Sequence, residues 1–327
     1  MVEDRSGIAA GTSGTCPRCF QVLGQSACTA CGLAFEREGG LIDVLGERER
    51  EARASEVERF YARSPFPGYA PDEDGGTLLD RARRSPFLRA LDAALPADAR
   101  VLDCGCGTAQ LAAFLARSAA RRKVFAIDGC RASLRCAEEF RARARLENLQ
   151  LVRADLFDLP VREGSFDFVL SRGVVHHTGD PGLAIGCVAR CVAPGGVLVL
   201  GFYETAARLF HRARRALASP LGRPLAMLDP VLRRSDLDEE KRRIWIEDQY
   251  RHPLEHVLAL SGVQRRLEEL GFSWVRSVPP AVESGLFHET PRPGALARAW
   301  LRLGWCLCGV NDPDAGLVLV VARRQRA

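Results

Sequence analysis

The chain has 327 residues, enough for one large α/β domain with a small additional unit, and its hydrophobic content of 47% is ordinary for a globular protein. No run approaches the ~18 apolar residues that a membrane helix needs, and the first residues lack the apolar core of a secretory signal, so we expect a cytoplasmic protein without a membrane partner. Almost all of the basic residues are arginines, and the net charge of +5 is too small to indicate nucleic-acid binding by itself.

Residues 1–45 carry two Cys-x-x-Cys pairs, Cys16 with Cys19 and Cys28 with Cys31. Each pair presents two thiolates from one tight turn, and two such pairs close a tetrahedral Zn²⁺ site. Because all four candidate ligands are cysteines, the pattern predicts a structural zinc ribbon rather than a catalytic metal centre. The remaining cysteines lie among apolar segments, which favours a reducing compartment over a disulfide framework.

Residues 46–99 are predicted to be a helical linker and N-terminal arm. The stretch Glu47–Arg63 is densely charged and free of Gly and Pro, and a second amphipathic helix is expected to run to about Leu95. Three aromatic residues of this arm have two open interpretations: they form a flap over a bound cofactor, or they are apolar anchors for the arm. These residues are Tyr61, Phe66 and Tyr69.

From residue 100 short apolar runs alternate with helical stretches, which predicts a parallel sheet covered by helices on both faces. Strands are expected at 100–103, 124–127, 149–152, 166–170, 197–200, 272–278 and 317–321, and helices are expected to begin near Gln110, Arg131 and Pro181 and to cover about 263–270. Two segments break the alternation, at about 202–261 and 279–315, and we expect them to be insertions that build a cap.

A glycine-rich loop, Asp103-Cys-Gly105-Cys-Gly107-Thr-Ala109, stands where the first of these strands turns into a helix. Glycines there let the backbone approach a ligand closely, and Asp128 closes the next strand, where a carboxylate can accept hydrogen bonds from ribose hydroxyls. These features by themselves fit either a dinucleotide or an adenosyl cofactor. A dinucleotide fingerprint needs a third glycine at position 110, where this chain has Gln110.

The shorter loop, Asp-x-Gly-x-Gly-x-Ala, resembles motif I of the class I S-adenosylmethionine-dependent methyltransferases, which usually carry a glycine where Ala109 stands. Three further segments resemble the family in order: Leu151–Leu156, Gly164–Ser171 and Val192–Val197. The resemblance covers roughly residues 100–200 closely. It implies a Rossmann-like, doubly wound, seven-stranded α/β sheet of order 3-2-1-4-5-7-6, with the last strand antiparallel.

The resemblance also implies the residues of the cofactor site. By position, Asp103, Gly105 and Gly107 would line the methionine and ribose of S-adenosylmethionine, and Asp128 would hold the ribose hydroxyls. Asp155 and Leu156 would read the adenine, and Ser171 is expected to lie on the cofactor side as well. Ordinary capping of helices by the aspartates is the alternative.

Acceptor-side residues are expected after the fourth strand of the domain, where the chain has His176 and His177. In the first insertion, residues 245–253, which include Trp245, Asp248 and Tyr250, resemble a segment that some small-molecule methyltransferases place against the acceptor, and the resemblance implies an acceptor-side role for them. His176 suits a general base for a hydroxyl acceptor, and a pair of histidines that shapes the pocket is the alternative.

Three functions remain open. The first is methylation of a small or medium-sized acceptor, which the two insertions favour because they could cap a pocket. The second is methylation of RNA, because a cysteine-rich ribbon ahead of such a domain resembles the ribosomal RNA guanine-N1 methyltransferases, although this ribbon has few basic residues. The third is a non-catalytic scaffold, which an intact glycine loop and Asp128 oppose.

Overall fold

The structure is a computed structural model that describes residues 14–46, 52–63, 65, 68–69, 73–221, 229–235, 239–278, 287, 294–308 and 316–326. Within these residues no helix has both the length and the apolar character needed to cross a membrane. Phe66 and residues 279–286 lie outside the described part of the chain.

In the part of the chain that the structure describes, nine strands form one sheet. They are β1 (Glu36–Glu38), β2 (Leu41–Asp43), β3 (Arg100–Cys104), β4 (Lys123–Asp128), β5 (Leu149–Arg153), β6 (Phe166–Arg172), β7 (Val192–Tyr203), β8 (Phe272–Val278) and β9 (Leu317–Arg324). Their order is β1-β2-β5-β4-β3-β6-β7-β9-β8, and β9 runs antiparallel to both of its neighbours.

The predicted Rossmann-like α/β class is confirmed, but the predicted count of seven strands is wrong. Strands β3 to β9 follow the expected order with an antiparallel last strand, and the ribbon adds the hairpin β1-β2 to one edge. Strand β2 pairs in parallel with β5, so that Ile42 lies beside Val152. The difference arises because the ribbon joins the sheet instead of forming a separate unit.

Ten α-helices accompany the sheet in the described residues. They are α1 (Ala52–Arg63), α2 (Gly75–Arg83), α3 (Pro86–Ala94), α4 (Gln110–Ser118), α5 (Arg131–Arg143), α6 (Pro181–Ala189), α7 (Leu209–Leu221), α8 (Glu239–Arg251), α9 (Leu260–Glu269) and α10 (Ala295–Cys308). The second helix expected in the arm is in fact two helices, because Ser85 caps α3 and Pro86 occupies its first position.

Side chains of the central strands alternate between two packed faces. Val124 and Ala126 of β4 lie in a core with α4 and α5, whereas Phe125 and Ile127 lie in a second core with α6 and α9. Parallel strands buried on both faces explain the nearly continuous apolar runs in the sequence.

The zinc-ribbon candidate covers part of the second face. Between β5 and β6 the chain forms a loop over residues 154–165 without a helix, although a parallel crossover usually contains one. Leu33 and Phe35 of the ribbon pack in the same core as Val152 of β5 and Phe166 of β6. These are the two strands that the loop connects. The ribbon therefore supplies apolar cover where the crossover supplies no helix.

Strand β7 is longer than expected. The segment Val192–Val197, expected to be a turn before a strand, belongs to β7, and the register with β6 shifts between Phe166 and Phe168. This irregularity lies at Gly195, whose φ of 78° places it in the left-handed region.

Candidate active site

The glycine loop between β3 and α4 is held against the end of β4. The backbone N–H groups of Gly105 and Cys106 both donate to the Ile127 carbonyl, at 2.7 and 3.1 Å. Gly105 has a φ of 73°, and a Cβ atom at this position would clash with the methyl carbons of Val174. Glycine is therefore required at position 105 for both conformation and space.

Asp128 ties the glycine loop to the next turn. Its Oδ2 accepts from the Gly107 N–H and its Oδ1 from the Cys130 N–H, each at 2.8 Å. Nearby Asp103 is buried, and its pKa is raised to about 7, first by burial and second by the negative charge of Asp128, while Arg172 opposes the shift. Two carboxyl groups thus converge at the ends of adjacent parallel strands.

The other predicted cofactor residues lie in two places. Asp155 and Leu156 follow β5, and the Asp155 Oδ1 accepts from the Phe157 N–H at 2.9 Å. Ser171 lies inside β6, where its hydroxyl is buried without a hydrogen-bond partner in the described structure.

A cavity of about 540 Å³ opens at the carboxyl ends of the central strands. In open α/β sheets ligands bind at this edge. Two groups of residues line it. The sheet side contributes Asp103, Gly105, Gly107, Asp128, Asp155, Leu156, Arg172, His177 and Tyr203, and the opposite side contributes Tyr61, Trp245, Asp248 and Gln249. Of the predicted site residues, Ser171, His176 and Tyr250 do not line it.

His177 is the histidine of the pair that faces the cavity. Its Nδ1 lies 2.7 Å from the Leu254 carbonyl, which can only accept, so Nδ1 carries the proton and Nε2 keeps a lone pair. Burial first, and then the positive charge of Arg208, lower the pKa of His177 to about 4. The ring is therefore neutral at physiological pH.

His176 is fully buried behind this residue. Its ring packs 4.0 Å from the ring of Tyr203 and 4.2 Å from that of His177, and neither ring nitrogen has a hydrogen-bond partner among the described residues. Burial lowers the pKa of His176 well below its ordinary value. This placement does not bring His176 to the cavity as a base.

Tyr250 points away from the cavity, since its hydroxyl donates to Asp229 Oδ2 at 2.7 Å. Its helix nevertheless contributes Trp245, Asp248 and Gln249 to the lining, and all three belong to the segment 245–253 that the sequence placed on the acceptor side. That acceptor-side role stays a prediction, although Tyr250 itself does not line the cavity.

The aromatic residues of the arm divide between the two interpretations. Tyr61 lines the cavity and donates to Asp248 Oδ1 at 3.1 Å. Tyr69 stacks on Phe140 with ring centroids 4.0 Å apart and donates to the Thr108 carbonyl at 2.8 Å, so it anchors the arm on the glycine loop.

The four ribbon cysteines converge. Their sulfur atoms all lie within 4.8 Å of one another, with Sγ–Sγ distances of 3.6 Å for Cys16 and Cys31 and 3.4 Å for Cys19 and Cys28. These separations exclude disulfide bonds, and they are close to the about 3.8 Å that tetrahedral Zn–S bonds would impose. The residues present therefore fit a structural Zn²⁺.

The ribbon lies away from the cavity. Its Phe20 packs edge-on against Phe125 and Phe166, with ring centroids 5.6 and 5.5 Å apart. Phe166 begins β6, whereas the cavity lies at the opposite ends of the strands. None of residues 14–46 lines the cavity.

Comparison with known proteins agrees with this geometry. Residues 102–200 match a family described as a methyltransferase domain. The chain is 29% identical over 149 residues to malonyl-[acyl-carrier protein] O-methyltransferase of Methylovorus, covering 44% of this chain and 50% of the relative. It is 35% identical over 113 residues to demethylmenaquinone methyltransferase of Thermus thermophilus, covering 34% and 51%. The chain thus spans about half the length of these two relatives.

Proposed function

Because the chain contains a class I S-adenosylmethionine-dependent methyltransferase domain, we propose that it methylates a small or medium-sized acceptor. One observation carries this proposal. A single cavity is lined on one side by the glycine loop and Asp128 and on the other by Tyr61 and helix α8. A methyl donor and a small acceptor can therefore share one cavity.

The sheet side of the cavity suits the donor. Asp128 and the Gly105–Gly107 backbone would hold the ribose and methionine parts of S-adenosylmethionine, and Asp155 with Leu156 would hold its adenine. The cofactor supplies an electrophilic methyl group on a sulfonium, so the protein has mainly to align a nucleophile and exclude water.

His177 suits the alignment of the acceptor. Its Nε2 can accept a hydrogen bond from an O–H or N–H group in the cavity, which would turn a lone pair of that group toward the methyl carbon. With a pKa of about 4 His177 is a weak base. We therefore assign it a positioning role rather than the role of a general base that takes the proton of the acceptor.

The position of the ribbon favours a small acceptor over RNA. The described ribbon contains only two basic side chains, Arg18 and Arg37, and the Arg37 guanidinium already donates to the Gly24 carbonyl. Its apolar residues pack against the sheet. Electrostatic binding of RNA needs a denser positive surface than this.

The proposal is tested by incubating the full chain with methyl-tritiated S-adenosylmethionine and extracts of its host, fractionated into small molecules, RNA and protein. We expect label in the small-molecule fraction. The Asp128→Ala variant, which lacks the carboxylate at the glycine loop, is the control and should label that fraction less than the unaltered chain does at the same cofactor concentration. Label in RNA would replace the proposal with the RNA alternative. Binding of the cofactor without transfer of its methyl group to any fraction would favour the scaffold.

A further inference from the structure

Helix α8 turns a polar face toward the cavity. Trp245, Asp248 and Gln249 are spaced i, i+3 and i+4, so they share one face of the helix, and His252 follows directly after its last residue, Arg251. Asp248, Gln249 and His252 are all buried, and the ring of His252 packs 3.8 Å from that of His177. Burying polar groups costs free energy that apolar residues would not cost. The face therefore suits a polar ligand better than it suits packing.

Asp248 supplies the negative charge of this face. Its side chain is 6% exposed and lines the cavity. Among the described residues its hydrogen-bond partners are two neutral donors, the Tyr61 hydroxyl at 3.1 Å and the Gln249 Nε2 at 2.7 Å. Both hydrogen bonds favour the ionised carboxylate, whereas burial raises its pKa above the ordinary value.

No cationic nitrogen of the described chain lies within ion-pair distance of Asp248. The positive charge of Arg208 lowers the pKa of Asp248 from a distance, but Arg208 itself pairs with Glu255 at 2.7 Å and lies 3.5 Å from the ring centroid of Tyr203. Arg215 pairs with the same Glu255 at 3.2 Å. A buried carboxylate without a contacting cation is costly unless a ligand supplies one.

We propose that Asp248 binds a positively charged amino group of the acceptor, which makes the acceptor class a small amine. Tyr61 and Trp245 line the cavity beside this carboxylate and offer aromatic rings, which attract ammonium groups. The inference deepens the proposed function and rests on it for the identity of the cavity.

Two hydrogen bonds hold the helix so that this face is presented. Asp229 Oδ2 accepts from the Tyr250 hydroxyl at 2.7 Å and from the Trp245 Nε1 at 3.3 Å. Tyr250 therefore helps to hold α8 in place. Asp248, two residues before Tyr250, lines the cavity where the ligand would bind.

The test measures binding of matched amines and alcohols to the full chain by calorimetry, with and without S-adenosylhomocysteine. The probes are 2-phenylethylamine against 2-phenylethanol and butylamine against butanol. We expect at least one amine to bind about tenfold more tightly than its alcohol, and Asp248→Asn to abolish that preference. Glu247→Gln, on the same helix but paired with Arg251, is the control and should keep it.

The cofactor also carries positive charge, so it is the second possible source of the cation. If Asp248→Asn weakens binding of S-adenosylmethionine but leaves the amine preference intact, the carboxylate serves the cofactor and the inference is overturned. Equal binding of every amine and its alcohol to the unaltered chain overturns it as well.

The two proposals fail separately in this experiment. Binding of S-adenosylhomocysteine without an amine preference leaves the proposed function standing and removes the inference. An amine preference that depends on Asp248, without any binding of S-adenosylhomocysteine, removes the proposed function and leaves Asp248 as part of an amine site that is not an acceptor site. Thermal unfolding checks the variant itself: Asp248→Asn should be at least as stable as the unaltered protein, because it removes a buried charge but keeps the shape.

Discussion

Phe20 of the ribbon lies edge-on to Phe166 at the start of β6, with ring centroids 5.5 Å apart. Phe20 also adopts a φ of 62°, in the left-handed region that a bulky residue rarely occupies. The turn that follows Cys19 holds this conformation, since the Phe20 N–H donates to the Cys16 carbonyl at 2.9 Å. Two candidate zinc ligands therefore determine where a core aromatic side chain is placed.

Removal of zinc is expected to destabilise the whole chain and not only its first 45 residues. Replacing Cys28 with Ser should reduce bound zinc and lower the melting temperature by at least about 5 °C, since structural zinc contributes several kcal/mol and Phe125 and Phe166 would lose apolar cover. Metal analysis and thermal unfolding measure both quantities. The Cys136→Ser variant, altered on α5, should retain its zinc. A Cys28→Ser protein with unchanged zinc and melting temperature would contradict this prediction.

Replacing Asp128 with Ala should weaken binding of S-adenosylhomocysteine by between about 5-fold and 150-fold, which corresponds to about 1–3 kcal/mol. The carboxylate is lost as an acceptor for the cofactor and for the N–H groups of Gly107 and Cys130. Calorimetry provides the measurement, and Asp158→Ala on the exposed loop after β5 is the matched control. Equal affinity of the two variants would remove Asp128 from the cofactor site.

Asp103 should make stability depend on pH in the absence of ligand. Its folded pKa of about 7 exceeds the ordinary value of 3.8, so the folded state holds a proton that the unfolded chain releases. Its contribution to stability is therefore favourable at low pH, declines between about pH 4 and 7, and stays unfavourable above that range. Asp103→Asn should stabilise the protein at pH 8, by no more than about 4 kcal/mol, and have little effect at pH 4. Denaturant unfolding at the two pH values measures the stability of both proteins. An equal effect of Asp103→Asn at pH 4 and pH 8 would contradict the prediction.

Replacing Gly105 with Ala should lower the free energy of unfolding by about 2–3 kcal/mol, because the added Cβ would meet Val174 and the left-handed conformation would be strained. In the double variant with Val174→Ala the steric part should be relieved and about 1 kcal/mol from the backbone should remain. A double-mutant cycle by denaturant unfolding gives the coupling. Strict additivity of the two substitutions would show that the side chains do not meet.

The fold was largely predictable because its signals are local. Helices α4, α5 and α6 begin at the predicted residues Gln110, Arg131 and Pro181, and the strand segments β3 to β9 were all anticipated, although β7 begins earlier and ends later than expected. The hairpin β1-β2 was not anticipated, because three-residue strands carry no measurable periodicity. Its pairing partner β5 lies more than a hundred residues later in the chain, so nothing local indicates it.

The donor side of the cavity was more predictable than the acceptor side. Asp103, Gly105, Gly107, Asp128, Asp155 and Leu156 line one cavity because strand ends of a parallel sheet meet at one edge. Which of two adjacent histidines faces that cavity depends on the short 3-10 helix Val175–His177 and on the Leu254 carbonyl, a contact 77 residues away. Such long-range choices leave no mark on sequence spacing. The cofactor roles themselves stay predictions.

Strand β1 ends the sheet with Glu36, Arg37 and Glu38, and Glu38 pairs with Arg135 of α5. A short, charged border of this kind discourages another chain from adding a strand to the sheet. Without the hairpin the border would be β5, whose five residues are all buried and would offer unpaired backbone groups to any neighbouring chain. Shortened versions of the protein that begin after residue 46 should therefore self-associate through that exposed border even where their active site is intact.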